Sequence, residues 1–289
     1  MQSPFHDSYI EPLKYSAFEK IKHVDILRDD QIHPVVCGNK WRKLKHVIAY
    51  LQTHQIKRLV TFGGAYSNHV VATAFAGDYF GIQTHAFIRG DEVRPMNHYE
   101  ALCLAHGMQL THVDRNSYRD KQVLFNQYYE QQQDVFFLDE GGNHPLALEG
   151  CAEIISELKM VYDYIVLPLG TGTTMEGLLM GIQEKALPTK VVGISSLKNN
   201  TSLNERMARF DSNSWDIMHD YHRGKYGAID SELIAYCNHF HTATDIPLEP
   251  VYTGKMMMAV EDLINKDYFK SDDKILLIHT GGLLSAVKQ

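Results

Sequence analysis

From Arg58 onward the chain alternates short apolar runs with longer stretches in which apolar residues recur at helical spacing. That alternation predicts β-α units and a mostly parallel sheet. The strand-like runs are 59–62, 82–88, 108–113 and 135–138 in the first half, then 164–169, 191–194 and 275–279 in the second. Helical patterns fill the gaps, 175–185 among them. Upstream, Trp41, Leu44, Ile48 and Leu51 mark the apolar stripe of a further helix, with Asn39 placed to cap it and Lys40 and Lys43 neighbours on its first turn. No linker rich in Pro, Gly or Ser separates the halves, and no repeat of fixed period is present.

The turns that follow the strands carry the chemistry. They read GGAYSNH (63–69), DEGGNHP (139–145), GTGTT (170–174) and TGG (280–282). In open α/β sheets ligands gather at the carboxyl ends of strands, so four loops of this kind point to one site. In GTGTT, glycines let backbone N–H groups approach an anion and the helix N-terminus favours negative charge, which makes a phosphate cradle. No G-K-[ST] follows and the G-x-G-x-x-G spacing is incomplete, and a tight turn with a threonine N-cap accounts for the loop equally well. Ser67 of GGAYSNH is read either as a helix cap or as a nucleophile, although His69 stands where a hydrolase elbow needs a small residue. Lysines in a first helical turn oppose the dipole, so Lys40 and Lys43 are either a solvated face or amines tuned for Schiff-base chemistry.

Composition narrows the partners. The 289 residues are 44% hydrophobic and 22% charged with a formal charge of −7, which fits a globular chain and excludes a broad basic surface for nucleic acid or anionic membrane. Cys37, Cys103, Cys151 and Cys237 lie far apart without a C-x-x-C pair, as expected of reduced thiols. The N-terminal residues lack a basic-then-apolar leader and no apolar run approaches a membrane span, so the expected location is cytoplasmic. The 16 histidines include no HExxH, and a strand through His239-Phe-His241 would split its rings to opposite faces, so no metal site is expected.

Taken in order, GNKWRKLKH (38–46), GGAYSNH, GTGTT, PVYTGK (250–255) and HTGG (279–282) resemble the pyridoxal-phosphate enzymes grouped as ACC deaminase and D-cysteine desulfhydrase. The resemblance runs from about residue 20 onward and implies a fold-type-II enzyme related to the tryptophan synthase β chain. It implies an α/β protein of two domains in three α/β/α layers with mostly parallel sheets. The large domain would comprise residues 1–43 and 142–289, the small one 44–141, with pyridoxal 5'-phosphate in the cleft.

The same resemblance assigns roles. Lys40 matches the lysine that anchors the cofactor covalently, Lys43 a lysine near its phosphate, and Gly170, Thr171, Gly172, Thr173 and Thr174 the phosphate loop. Asn68 matches the residue that bonds the ring hydroxyl, and Thr280 the partner of the pyridine nitrogen. A hydroxyl there leaves that nitrogen largely unprotonated and favours elimination. Ser67, Tyr226 and Tyr252 match catalytic groups that, with Asn68 and His69, face a small amino-acid substrate. Cys37 stands where the family carries glycine, and Thr253 where ACC deaminases carry glutamate. The implied reaction is therefore α,β-elimination of the D-cysteine desulfhydrase kind, with ACC deamination as the alternative and a non-catalytic binder of a phosphorylated metabolite as the alternative of another class. A homodimer is the family expectation, and the short stretch after Gly282 is expected to trim the edge of the large domain.

Overall fold

The computed structural model describes residues 4–90, 95–198, 200–224 and 227–284. In chain order the elements are β1 (Ile10–Pro12), β2 (His23–Leu27), α1 (Asn39–Thr53), β3 (Arg58–Gly64), α2 (Asn68–Phe80), β4 (Gln83–Arg89), α3 (His98–Ala105), β5 (Gln109–Val113), α4 (Lys121–Tyr129) and β6 (Val135–Leu138). They continue as α5 (Pro145–Glu157), β7 (Tyr164–Leu169), α6 (Thr173–Glu184), β8 (Lys190–Ser195), α7 (Ser202–Met207), β9 (Trp215–Met218), α8 (Ser231–Thr244), α9 (Thr253–Asn265) and β10 (Lys274–Ile278). The chain divides into two compact units, Lys40–Gly150 and the pair of segments Met1–Asn39 and Cys151–Gln289.

The discontinuous unit holds a six-stranded sheet in the order β1-β2-β10-β7-β8-β9, parallel except where β1 runs against β2. Alternation along its strands sorts side chains to two faces. Val166, Val192, Ile194, Ile275 and Leu277 join α8 and α9 in one core through Leu233, Phe240, Met256 and Val260. Ile165, Leu167, Leu169, Val191 and Leu276 join α5, α6 and α7 in the other through Ile155, Leu178 and Leu203. Helices therefore cover both faces, which is why these strands read as continuous apolar runs.

The contiguous unit holds a four-stranded parallel sheet in the order β5-β4-β3-β6. Val60, Phe62 and Phe87 meet Tyr118, Leu124 and Tyr129 of the α4 region on one side. On α2, a Cβ at Gly77 would come within 2.2 Å of the Thr84 side chain, so glycine sets how closely helix and strand approach.

Three expectations need correction. Strands β1, β2 and β9 were not visible in the pattern, because β2 carries Asp25, whose carboxylate accepts the Tyr162 hydroxyl at 2.7 Å, and β9 is only half-buried. His239 and His241 belong to the helix α8, not to a strand. Asn39, expected just ahead of the helix, is the first residue of α1. No helix among the described residues is long and apolar enough to cross a membrane.

Candidate functional site

In the contiguous unit β3 and β6 are parallel neighbours, so the turns that leave them emerge side by side. Ser67 adopts the capping role: its Oγ accepts the Val70 N–H at 3.3 Å at the start of α2. His69, in the first turn of α2, is buried, with Nε2 2.8 Å from the Thr61 hydroxyl and its carbonyl accepting the Thr73 hydroxyl at 2.9 Å. The other ring nitrogen, Nδ1, and the neighbouring Asn68 Oδ1 are buried without a hydrogen-bond partner among the described residues.

After β6, Gly141 and Gly142 take positive φ of 68° and 75°. A Cβ on Gly142 would sit 3.1 Å from the His69 ring and 3.3 Å from Lys43 Cδ. Lys43 is itself buried and donates from Nζ to the Gly141 carbonyl at 2.8 Å, which removes the solvated-face reading of this lysine. Burial, reinforced by the charges of Lys43 and Lys40, lowers the His69 pKa to about 3, so this imidazole is a neutral hydrogen-bonding group at pH 7. Arg42, which the sequence presents as an ordinary surface residue, is 4% exposed, because the start of α1 is buried around most of its circumference. Trp41, expected in the apolar stripe, is half-buried and stacks on Phe80 at 6.0 Å; Leu44, Val47, Ile48 and Leu51 form the buried face.

In the discontinuous unit β7 and β10 are also parallel neighbours, so loop 170–174 and the TGG turn leave the same edge. The N-cap of α6 is Gly172, at φ 86°, rather than a threonine, and no side chain caps this helix. A Cβ on Gly170 would lie 3.3 Å from the Tyr252 ring, so glycine leaves the loop open beside that tyrosine. Thr173 and Thr174 are buried, and the Thr171 and Thr173 hydroxyls lie 3.4 Å apart. Glu176, an acid in the first turn of a helix whose N-terminus is offered to an anion, is neutralised by Arg206 and by Arg209 at 2.9 Å.

Asn39 donates from Nδ2 to the Thr174 hydroxyl at 3.1 Å, and its N–H reaches the Thr280 carbonyl at 3.4 Å. Gly38, at φ 62°, permits this approach: a Cβ there would be 2.0 Å from the Thr280 oxygen. Thr280 is buried. Tyr252, half-buried, precedes α9, and Thr253 is fully buried with its hydroxyl bonded to the backbone of Glu249. Tyr226 lies outside the described residues.

Taken each by itself, the discontinuous unit carries features that suit a phosphate and the contiguous unit carries buried polar atoms that suit a ligand. The N-terminus of α6, without a side-chain cap, offers N–H groups to a phosphate, and Asn68 Oδ1 and His69 Nδ1 are buried polar atoms with no hydrogen-bond partner among the described residues. Among the described residues no group of three or more His, Cys, Asp or Glu side chains could hold a metal ion. Sequence reasoning missed Thr61, which fixes the His69 ring, and Glu249, which receives three backbone N–H bonds ahead of α9. An acid four residues before a helix start was the available signal for Glu249.

Comparison with known proteins agrees with the loops. The model of the family described as "Pyridoxal-phosphate dependent enzyme" matches residues 12–281. A Thermotoga maritima protein named putative 1-aminocyclopropane-1-carboxylate deaminase is 25% identical over 92% of this chain and 91% of its own length. An Arabidopsis thaliana protein named bifunctional D-cysteine desulfhydrase/1-aminocyclopropane-1-carboxylate deaminase, mitochondrial, is 28% identical over 90% of this chain and 72% of its own. The crystal structure of an ACC deaminase homologue superposes with a TM-score of 0.83 at 24% identity, covering 96% of this chain and 90% of that one.

Proposed function

Because this chain belongs to the pyridoxal-phosphate-dependent enzymes, with pyridoxal phosphate as its cofactor, we propose that it catalyses α,β-elimination on a small amino acid. The reading we favour is the D-cysteine desulfhydrase reaction, in which D-cysteine and water give pyruvate, sulfide and ammonia. The observation that carries this choice is Thr253. The position that holds glutamate in the resembled ACC deaminases here carries a buried hydroxyl committed to Glu249, at 3.0 Å from its N–H and 3.1 Å from its carbonyl. It offers no carboxylate for opening a cyclopropane ring.

Bound cofactor supplies an electron sink for the pair left on the substrate α-carbon. Lys40 would be its covalent anchor, and Lys40 Nζ, when not so engaged, would accept the substrate α-proton. The loop 170–174 holds the phosphate through glycine N–H groups and threonine hydroxyls, and Lys43 adds positive charge. Asn68 would bond the ring hydroxyl, while Ser67 and neutral His69 would orient the substrate carboxylate. Tyr252, with Tyr226 as a second hydroxyl, donates a proton to the departing thiolate. Thr280 would partner the pyridine nitrogen, and a hydroxyl there would leave it largely unprotonated.

Two measurements test this reading. Purified protein mixed with pyridoxal phosphate is expected to acquire the absorbance of covalently bound cofactor, and borohydride reduction followed by peptide mass analysis to find the adduct on Lys40. A panel of D- and L-cysteine, D-serine, β-chloro-D-alanine and ACC, read for pyruvate, oxobutyrate and sulfide, identifies the substrate. Turnover of ACC alone would overturn the assignment made from Thr253.

A further inference from the structure

His279 closes β10 and immediately precedes Thr280, and its side chain is 0% exposed. Both ring nitrogens are engaged. Nε2 lies 2.7 Å from the Pro247 carbonyl, and Nδ1 receives the Gly281 N–H at 3.2 Å. A carbonyl can only accept and a backbone N–H can only donate, so the proton sits on Nε2 and the ring is neutral. Asp30 Oδ1 is 3.5 Å from Nδ1, and Asp30 is gripped by Arg28 through Nε at 2.9 Å and Nη2 at 2.8 Å.

The two ring bonds lead to different places. Through Gly281 the ring grips the residue that follows Thr280, while covalently it precedes Thr280, so both sides of that threonine are tied to one imidazole. Through Pro247 it grips the segment that ends at Tyr252. Two residues past Pro247, the buried Glu249 carboxylate accepts the N–H groups of Val251, Tyr252 and Thr253 at 2.8, 2.6 and 2.8 Å, which makes the segment a rigid turn.

We propose that His279 is a positioning residue that sets Thr280 and Tyr252 relative to each other through two separable hydrogen bonds. The inference rests on the reading above, in which Thr280 faces the pyridine nitrogen and Tyr252 the substrate. It assigns the nitrogen-facing hydroxyl and the leaving-group hydroxyl to one buried ring that touches neither cofactor nor substrate.

The test separates the two bonds in the full chain. In His279→Asn the amide oxygen occupies the place of Nδ1 and still receives Gly281, whereas Pro247 loses its donor. In His279→Gln the amide nitrogen reaches the place of Nε2 and still serves Pro247, whereas Gly281 loses its acceptor. Losing one such bond, at about 1 kcal/mol, corresponds to roughly a fivefold effect. With cofactor bound, His279→Gln is expected to shift the cofactor's absorbance and emission, which report on the pyridine nitrogen. His279→Asn is expected to keep the wild-type spectrum and lower kcat about fivefold at unchanged KM.

Amide hydrogen exchange on the cofactor-free chain supplies a readout independent of activity. Gly281 should exchange faster in the Gln variant, and residues 251–253 in the Asn variant. Identical changes in both variants, or none, would overturn the proposal. So would a Gly281 amide that exchanges at a solvent-exposed rate in the wild type, an outcome that can be read even if neither variant folds. A wild-type chain that never binds cofactor overturns the functional reading and this inference together, while wild-type-like variants overturn this inference alone.

Discussion

The turn from β3 into α2 and the turn from β7 into α6 are built on the same plan, a buried parallel strand, glycines, then a helix, yet they finish differently. The first is closed by its own chain: Ser67 caps α2, and Gly63 leaves just enough room, since a Cβ there would be 2.5 Å from Val70 and 2.9 Å from the Ser67 hydroxyl. The second is left open. Gly172 takes the N-cap with no side-chain bond, so the first-turn N–H groups of α6 have no side-chain cap and remain available to an anion. A self-satisfied turn orients the side chains it carries, and an unsatisfied one recruits a ligand. The same local pattern can therefore serve either purpose, and only the identity of the capping residue tells them apart.

The largest expected effect breaks the open turn. Gly172→Val forces a branched side chain into φ 86°, with Leu203 2.6 Å from the new Cβ. Losing two N–H bonds to a phosphate should cost about 3 kcal/mol, roughly a hundredfold in cofactor affinity measured by fluorescence titration, with the circular dichroism of the free protein retained.

Acid should strike the closed turn next. The folded imidazole of His69 resists protonation down to a pKa of about 3, and that of buried His85 down to about 4. The unfolded rings take up protons below about 6.5, so their stabilising contribution is complete above that pH and is lost as pH falls toward the folded values. Each histidine then adds a slope of up to about 1.4 kcal/mol per pH unit, which urea midpoints between pH 7 and 5 would reveal. A flat midpoint across that range would mean the rings are hydrated. The loop 170–174 contains no ionisable side chain and adds nothing to this slope.

Removing the cap itself is a smaller change. Ser67→Ala should lower stability by about 1 kcal/mol in denaturant unfolding, whereas the same experiment at the open turn, Thr173→Ala, should leave the cap energy untouched because Thr173 is not the cap. The smallest effect is that of inorganic phosphate alone. At a concentration equal to its dissociation constant it should stabilise the cofactor-free chain by about 0.4 kcal/mol, and Gly172→Val should abolish that shift.

Much of this was legible in the chain. All seven predicted strands exist, because parallel strands covered on both faces read as apolar runs and the turns after them hold glycine. GTGTT by itself left a phosphate cradle and a tight turn with a threonine N-cap equally open, since Gly172 and Thr173 both stand next to a helix start, and it is Gly172 that takes the cap. What stayed hidden depends on distant partners. Lys43 looks like a surface cation until the Gly141 carbonyl is brought beside it, and Asp25 looks like a strand breaker until Tyr162 satisfies it. His279 gave no sign of binding Pro247 and Gly281 at once, because one of those partners lies far upstream.

The interruption of one unit by the other has a consequence for how the chain is made. Lys40–Gly150 is continuous, so its four strands can pair while the remainder is still being synthesised. β2 must wait. Its parallel partner is β10, with His23 opposite Lys274, and among the described residues β1 pairs with β2 alone. β2 is thus made well before the strand it pairs with in parallel, a long-range closure of the kind that slows folding. During that interval the apolar face of β2, with Val24 and Ile26, lacks most of the core that it joins, and the chain is most exposed to aggregation before β10 arrives.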